Sequence, residues 1–285
     1  MERKTMKVIV DSTCDLPQEL AEKYDIDVVP VHVHHEDKSY ADRVELTPSE
    51  FYSLLENVDE LPTTSGANPK DFFDSINEAF KEHSSVLIAT ITSKLSGTYQ
   101  SARVAIKQLK DKKIHLIDSK FGSGVLTFLS LAAAKFSRKG MTDDEIVKKV
   151  EQIRDKSILV GYVDTLENLK KSGRISNLKY LVGSMIKSKP ILEVKDGVIN
   201  AVGKASGKEK AQKKVIAEIL RRVDKKTKYD IMITHGNDSD AAEFMMQKFE
   251  KKLALGEKIV NYLTPALGVH LGIGSIVVSL SPSPF

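Results

Sequence analysis

Thr92-Ser93-Lys94-Leu95-Ser96-Gly97-Thr98-Tyr99-Gln100-Ser101-Ala102 joins an apolar run, Val86-Leu87-Ile88-Ala89, to a segment with apolar residues at Ala102, Ala105, Ile106 and Leu109. The run reads as a buried strand and the spacing after it as a helix, so the hydroxyl-rich stretch is a βα turn. Ser93 or Ser96 is the expected N-cap. The free N–H groups of a first helical turn favour an anion. Five hydroxyl residues between Thr92 and Tyr99 are more than one cap requires. Two readings of the turn stand: a capped helix start, and an anion site.

Two further stretches share this character. Pro62-Thr63-Thr64-Ser65-Gly66-Ala67-Asn68-Pro69 leads into a helix with Asn68 as N-cap, Pro69 at its first position and Asp71 in its first turn. Asp11-Ser12-Thr13-Cys14-Asp15-Leu16-Pro17 follows a short apolar strand at 7–11.

Between these stretches the chain alternates. A helix is predicted over 16–24 and a strand over 28–34, where Pro30 argues for an edge position or a strand start. Residues 36–45 read as polar and irregular. Thr47 and Glu50 form a capping-box pattern for a helix to about 56. Phe72, Phe73, Ile76, Ala79 and Phe80 mark the next helix. A strand at 114–117 follows the central helix. The helix at 122–136 is apolar on too much of its circumference for a surface helix; it reads as buried core, and equally as the wall of an apolar tunnel. Thr142 caps a helix at 141–153. Alternation of this kind predicts a parallel α/β sheet.

Past Asp155 the pattern changes. Asp196-Gly197 between two apolar runs, 191–194 and 198–202, is a hairpin signal. Helices at 209–223 and 241–253 separate strands at 158–163, 230–234, 259–263 and 275–280. The expected architecture is α/β: a parallel-sheet α/β domain over 1–155 and an α+β domain over 156–285.

Length and composition agree with that. The 285 residues suffice for two cores, and 41% hydrophobic with 29% charged residues is ordinary for a globular protein. A net charge of +4 is too small to imply nucleic acid. Cys14 is the only cysteine, so neither a disulfide nor a cysteine zinc cluster is available, which fits a reducing cytoplasm. No apolar run approaches the roughly 18 residues of a membrane-spanning helix.

The ordered motifs Asp11-Ser12-Thr13-x-Asp15-Leu16-Pro17, Thr64-Ser65, Ser93-x-Leu95-Ser96-Gly97-Thr98-Tyr99, Ile117-Asp118-Ser119, Lys171-x-Gly173-Arg174-Ile175 and His270-x-Gly272-x-Gly274 resemble the DegV family, from Val8 to about Leu280. The resemblance implies a fatty-acid-binding protein and, as in some bacteria, the FakB subunit that presents a fatty acid to a kinase. It implies that Thr64 and Ser96 hydrogen-bond the carboxylate, that Arg174 faces the ligand head, and that His270 lies beside it. Hydroxyl donors suit the task, because a carboxylate removed from water needs hydrogen bonds or it takes up a proton. The chain departs from the family at Ser172, where the first of two glycines is usual, at Ile273, where proline is usual, and at Ser206, where arginine is frequent.

Each of these residues also has a plainer role. Gly173 fits a helix C′ position and the lysines before it a helix C-terminus. His270 fits a packed loop histidine. His32, His34 and His35 lack an acidic or cysteine companion at metal-ligand spacing and fit an exposed strand face. His235 ends a strand, and Cys14 fits a small packed residue. The expected protein is therefore a lipid carrier with no cofactor or metal and no catalytic residue of its own. It has no G-x-x-x-x-G-K-[ST] loop and no evident magnesium carboxylate cluster, so a partner kinase supplies the phosphoryl chemistry. Two alternatives remain. One is a lipid hydrolase with Ser96 as nucleophile and His270 as base, against which G-x-S-x-G is absent. The other is a basic interaction module, since Lys204 to Lys228 holds ten basic and three acidic residues.

Overall fold

The computed structural model describes residues 4–175 and 188–285. In chain order the first half runs β1 (Lys4–Asp11), a 3-10 turn (Ser12–Cys14), α1 (Gln18–Tyr24), β2 (Ile26–Val29), β3 (His32–His35), β4 (Lys38–Ala41), α2 (Pro48–Leu55), β5 (Thr63–Ser65), α3 (Pro69–Glu82), β6 (His83–Thr90), α4 (Thr98–Lys107), β7 (Ile114–Asp118), α5 (Ser123–Arg138) and α6 (Asp143–Lys156). It continues with β8 (Ile158–Tyr162), α7 (Glu167–Lys171), β9 (Lys189–Lys195), β10 (Val198–Ala205), α8 (Lys208–Arg222), β11 (Tyr229–His235), α9 (Ser239–Glu250), β12 (Leu255–Tyr262), α10 (Pro265–Leu271) and β13 (Ile276–Pro282).

Three sheets result among the described residues. The first is parallel throughout, in the order β2-β1-β6-β7. The second is mixed, in the order β10-β9-β8-β13-β11-β12, with β11 and β12 its parallel pair. The third is a small antiparallel sheet, β4-β3-β5. The α/β class with a parallel first sheet and a mixed second one is as the sequence predicts. The first sheet's last strand ends at Asp118, and the second sheet begins at Ile158.

Local chemistry explains several element ends. Asn68 caps α3, accepting from the Lys70 N–H at 2.9 Å with Pro69 next. Thr47 with Glu50 and Thr142 with Glu145 form full capping boxes. Asp196 (φ 52°) and Gly197 (φ 81°) turn the β9–β10 hairpin through the left-handed region, which glycine adopts at no steric cost.

Four expectations need correction. The predicted strand at 28–34 is two strands in different sheets. Pro30 lacks an N–H, the ladder stops there, and β2 remains as the edge of the first sheet while β3 starts the third. The polar stretch at 36–45 contains β4, and the hydroxyl cluster at 62–69 contains β5, both short strands whose pairing across β3 is not visible in local periodicity. His270 is not in a loop, because Pro265 opens a helix that runs to Leu271, and only 272–274 of the 268–274 segment lies beyond it. Lys170 to Ile175 also reads as the link to a further helix, which falls in 176–187, outside the described residues.

Helix α5 occupies the middle. Fourteen of its sixteen residues are buried, and it touches β1 and β6 of the first sheet and β11 and β13 of the second. Gly124 permits the approach: a Cβ there would lie 2.6 Å from the Met232 Cβ. The core around α5 therefore draws residues from both halves, from Val8 and Ile88 to Met232 and Val277. A separate core under α8 and α9 covers the far face of the second sheet. Among the described residues no helix is long and apolar enough to cross a membrane.

Candidate functional site

A cavity enclosing about 1070 Å³ of empty space, part of it open to solvent, lies between the loops of the first half and the inner face of β8, β9 and β13. Its walls are mainly apolar, with Ile91, Leu159, Leu192, Val194, Leu267 and Val277 prominent. Strand alternation builds the inner wall. On β9, Leu192 and Val194 face the cavity side, whereas Ile191 packs into the core under α8.

Thr64, Ser96, Arg174 and His270, which come from four separate elements, all line this cavity. Thr64 sits on β5, in register with Val33 of β3. Its Oγ1 lies 2.9 Å from the His270 Nε2. His270 is in the last turn of α10. Burial pushes its pKa down to about 3, with the Arg174 charge adding to the effect, so the ring is neutral near pH 7. Its Nδ1 is buried with no hydrogen-bond partner among the described residues. Arg174 follows α7. Its Nη1 donates to the Ser172 carbonyl at 2.6 Å and its Nε to the Leu95 carbonyl at 3.3 Å, which brings its guanidinium to the turn that carries Ser96.

The hydroxyl-rich turn divides its labour. Neither Ser93 nor Ser96 is the N-cap of α4. Gly97 takes that position in the right-handed region, with no side-chain cap bond. The Ser93 hydroxyl donates to Asp118 Oδ2 at 2.6 Å, and the Thr92 hydroxyl donates to the Gly197 carbonyl at 3.1 Å, locking the β9–β10 turn onto the first half. Ser96 Oγ accepts from the Thr98 N–H at 3.3 Å and lies 2.9 Å from Thr98 Oγ1. Thr98 Oγ1 in turn accepts from the Ala67 N–H at 3.3 Å. Ser96 and Thr64 are thereby tied through the turn at 65–67 to one mouth of the cavity, beside Gly97, where a Cβ would meet nothing within 4 Å.

The other candidates fall elsewhere. Helix α5 is not the tunnel wall: of its residues only Ser123, the first, reaches the cavity, because the helix is apolar all round in order to fill the space between two sheets. His235 lies outside the cavity. Its Nδ1 accepts from the Asp238 N–H at 3.2 Å, its ring packs on Tyr262 and burial lowers its pKa. His34 Nε2 pairs with Ser65 Oγ at 2.8 Å. Cys14 is buried, which pushes its thiol up to about 12, too high for a nucleophile. Gly173 has the left-handed backbone of a helix C′ residue (φ 77°).

Three residues at the centre of the first half escaped sequence reading. Asp11, Asp15 and Asp42 are fully buried, and burial raises their carboxyl pKa values to about 6, 7 and 6. The repeated aspartates of the Asp11–Pro17 motif were a signal, but nothing local distinguishes a buried carboxylate from a turn-forming one.

The family model for the DegV family, described as a family of uncharacterised proteins, matches residues 5–283. A DegV domain-containing protein of Clostridium perfringens is 31% identical over 278 residues, covering 96% of this chain and 98% of its own. A Thermus thermophilus DegV family protein, whose solved structure is described as fatty acid binding, superposes with a TM-score of 0.92 at 29% identity, covering 97% of this chain and 99% of its own. DegV of Bacillus subtilis, described as a fatty acid binding protein, gives a TM-score of 0.88 at 26% identity over 97% and 99% of the two chains.

Proposed function

Because the chain belongs to the DegV family, we propose that it holds a long-chain fatty acid in the apolar cavity and presents the carboxylate to a separate kinase for acyl-phosphate formation. The observation that carries the reading is the Thr64–His270 contact at 2.9 Å, at the hydroxyl-lined mouth of an otherwise apolar cavity. A neutral His270 with its proton on Nε2 donates to Thr64 Oγ1, which leaves the Thr64 O–H to point at the ligand. Ser96 is arranged alike. Its oxygen accepts from the Thr98 N–H and lies 2.9 Å from Thr98 Oγ1; with the Thr98 hydroxyl as the donor of that pair, the Ser96 O–H is left for the ligand. The two hydroxyls then hold the two carboxylate oxygens, and Arg174 supplies the nearby positive charge that keeps the acid ionised in a dry site. The acyl chain runs along Leu159, Leu192, Val194 and Val277.

This chain contributes binding and presentation, and the kinase contributes ATP, metal and phosphoryl transfer. The hydrolase reading is weaker, since Ser96 Oγ and His270 Nε2 each engage a threonine and not one another. The partner surface in this proposal is the basic segment from Lys204 to Lys228, which steers an acidic kinase face. Mass spectrometry of an organic extract of the purified, denatured protein tests the ligand class: a stoichiometric fatty acid is expected, and its absence together with no binding of added fatty acid overturns the reading. Incubated with ATP, magnesium and fatty acid but no kinase, the chain is expected to make no acyl phosphate. Turnover by the chain alone overturns the carrier role.

A further inference from the structure

Asp11, Asp15 and Asp42 do not themselves line the cavity and make no ion pair among the described residues, yet each bonds a segment that leads to a head-group residue. Asp11 Oδ2 accepts from the Ile91 N–H at 2.7 Å, where the turn to Ser96 begins. Asp15 Oδ1 accepts from the Thr264 N–H at 2.8 Å and Asp42 Oδ1 from the Ala266 N–H at 3.1 Å. Thr264 is the N-cap of α10 and its own side chain makes no cap bond, so these two remote carboxylates do the capping of the helix that ends in His270. Their other oxygens accept from hydroxyls, Asp15 Oδ2 from Ser123 at 2.6 Å and Asp42 Oδ2 from Ser12 at 2.6 Å. Ser12 Oγ also accepts from the Val31 N–H at 3.1 Å, at the entry to β3, the strand on which Thr64 is registered.

Backbone strain gathers at the same place. Asp15 (φ 56°), Ser123 (φ 50°) and Arg43 (φ 67°), next to Asp42, are non-glycine residues in the left-handed region. Such conformations persist only where the surroundings over-determine them.

We propose that Asp15 and Asp42 are positioning residues for the head-group site: they fix the start of α10, and through it the distance between His270 and Thr64. The inference rests on the fatty-acid reading for its ligand, but the hydrogen bonds do not.

The test compares Asp42→Ala and Asp15→Ala with the Asn variants, in which the amide oxygen still accepts from the helix N–H and the amide N–H serves the serine. For each, affinity is measured for a saturated long-chain fatty acid and for the fatty alcohol of the same length. His270 is followed by imidazole nitrogen NMR without ligand. The Ala variants are expected to lose roughly tenfold or more in acid affinity, with the alcohol changed less than about twofold on the same scale. They should also lose the single Nε2–H tautomer signal, and Asn is expected to restore both. If an Ala variant does not fold, Ser12→Ala, which removes one donor to Asp42, replaces it with the same expected direction. Equal losses for acid and alcohol, or an unchanged His270 signal with unchanged acid affinity, overturn the proposal. Wild-type protein that binds neither ligand overturns the fatty-acid reading instead, and the tautomer comparison still decides the positioning role.

Discussion

Helix α5 and the inner wall formed by β8, β9 and β13 are both apolar and both hidden from water, yet they do opposite things. Leu129 on α5 has 0% of its surface exposed and Leu192 on the wall 6%, so burial alone does not separate them. What differs is the far side. Opposite α5 stand two sheets, close enough that Gly124 admits no side chain. Leu192 belongs to a small cluster with Leu169 and Ile175 and also borders the cavity. An apolar residue that faces protein contributes packing, and one that faces a void is available to a ligand.

The largest expected effect follows from that contrast. Leu129→Ala opens a void in a filled core and should cost about 2–5 kcal/mol of unfolding free energy. Leu192→Ala enlarges a void that already exists and should cost clearly less, while shifting acyl preference toward bulkier chains. Urea unfolding and competitive binding of fatty acids of graded length check both. The comparison breaks if Leu192→Ala destabilises as much as Leu129→Ala, or if Leu129→Ala is the variant that changes chain preference.

At the polar end the expected effects are on binding. Under the proposed binding mode, Thr64→Ala and Ser96→Ala should each leave a carboxylate lone pair without its donor, a loss of about 1–3 kcal/mol in fatty-acid affinity with the fold intact. Unchanged affinity in the double variant, measured by titration calorimetry, would remove the pair from the site. This end of the cavity was largely legible in the sequence, because Thr64, Ser96, Arg174 and His270 each lie in a motif of recognisable order. The apolar end was not. Leu159, Leu192 and Val277 look like any strand residue, and which face of a sheet meets a void depends on how three sheets stack. For the same reason the all-round apolarity of 122–136 read equally well as tunnel wall or core, and the three-dimensional arrangement selects core. Strands β4 and β5 were missed because three or four residues carry too little periodicity; their pairing with β3 makes them strands. The buried aspartates were hidden because their partners, Ile91, Thr264 and Ala266, lie up to 249 residues away in the chain.

Those aspartates also sharpen the comparison between filled and open regions through pH. Asp11, Asp15 and Asp42 have folded pKa values near 6, 7 and 6, above the ordinary carboxylate value. The folded state therefore holds protons that the unfolded state has released, and their contribution to stability is present below about pH 4 and is lost as pH rises to about 7. His270, with a folded pKa near 3, acts in the opposite sense: its contribution is present above about pH 6.5 and is lost as pH falls. Asp15→Asn removes one of the three acids. Its melting temperature minus that of the wild type should rise between pH 4.5 and 7.5, by about 2–4 °C per kcal/mol of relieved ionisation cost. A flat or falling difference would mean that Asp15 is not held protonated by the fold.

The smallest expected effect lies on the back of the cavity wall, where α8 covers the outer face of the second sheet. Ala211, Val215 and Ile219 bury its apolar stripe as the spacing predicts, and Val223 is half-buried just past its end. Of its charges, Lys208 pairs with Asp238 at 2.7 Å, Lys213 with Glu209 at 2.6 Å, and Arg221 and Arg222 with Glu218. Surface pairs of this kind contribute little to stability and partly neutralise the patch. Lys204 and Lys210 make no ion pair among the described residues and stay exposed. Lys214, Lys225, Lys226 and Lys228 share that state, and reversing Lys204 and Lys210 leaves every one of these internal pairs in place. Lys204→Glu with Lys210→Glu should slow kinase-coupled acyl-phosphate formation several-fold at low salt and flatten its dependence on ionic strength, because steering acts on the encounter rate and is screened by salt. Fatty-acid affinity should not change, since neither lysine lines the cavity. Lys107→Glu, an exposed reversal on α4, serves as the control and should leave the coupled rate where it was. Equal slowing by both would mean that only net charge matters. No slowing by the double reversal would leave α8 as a solvated cover over the outer face of the second sheet.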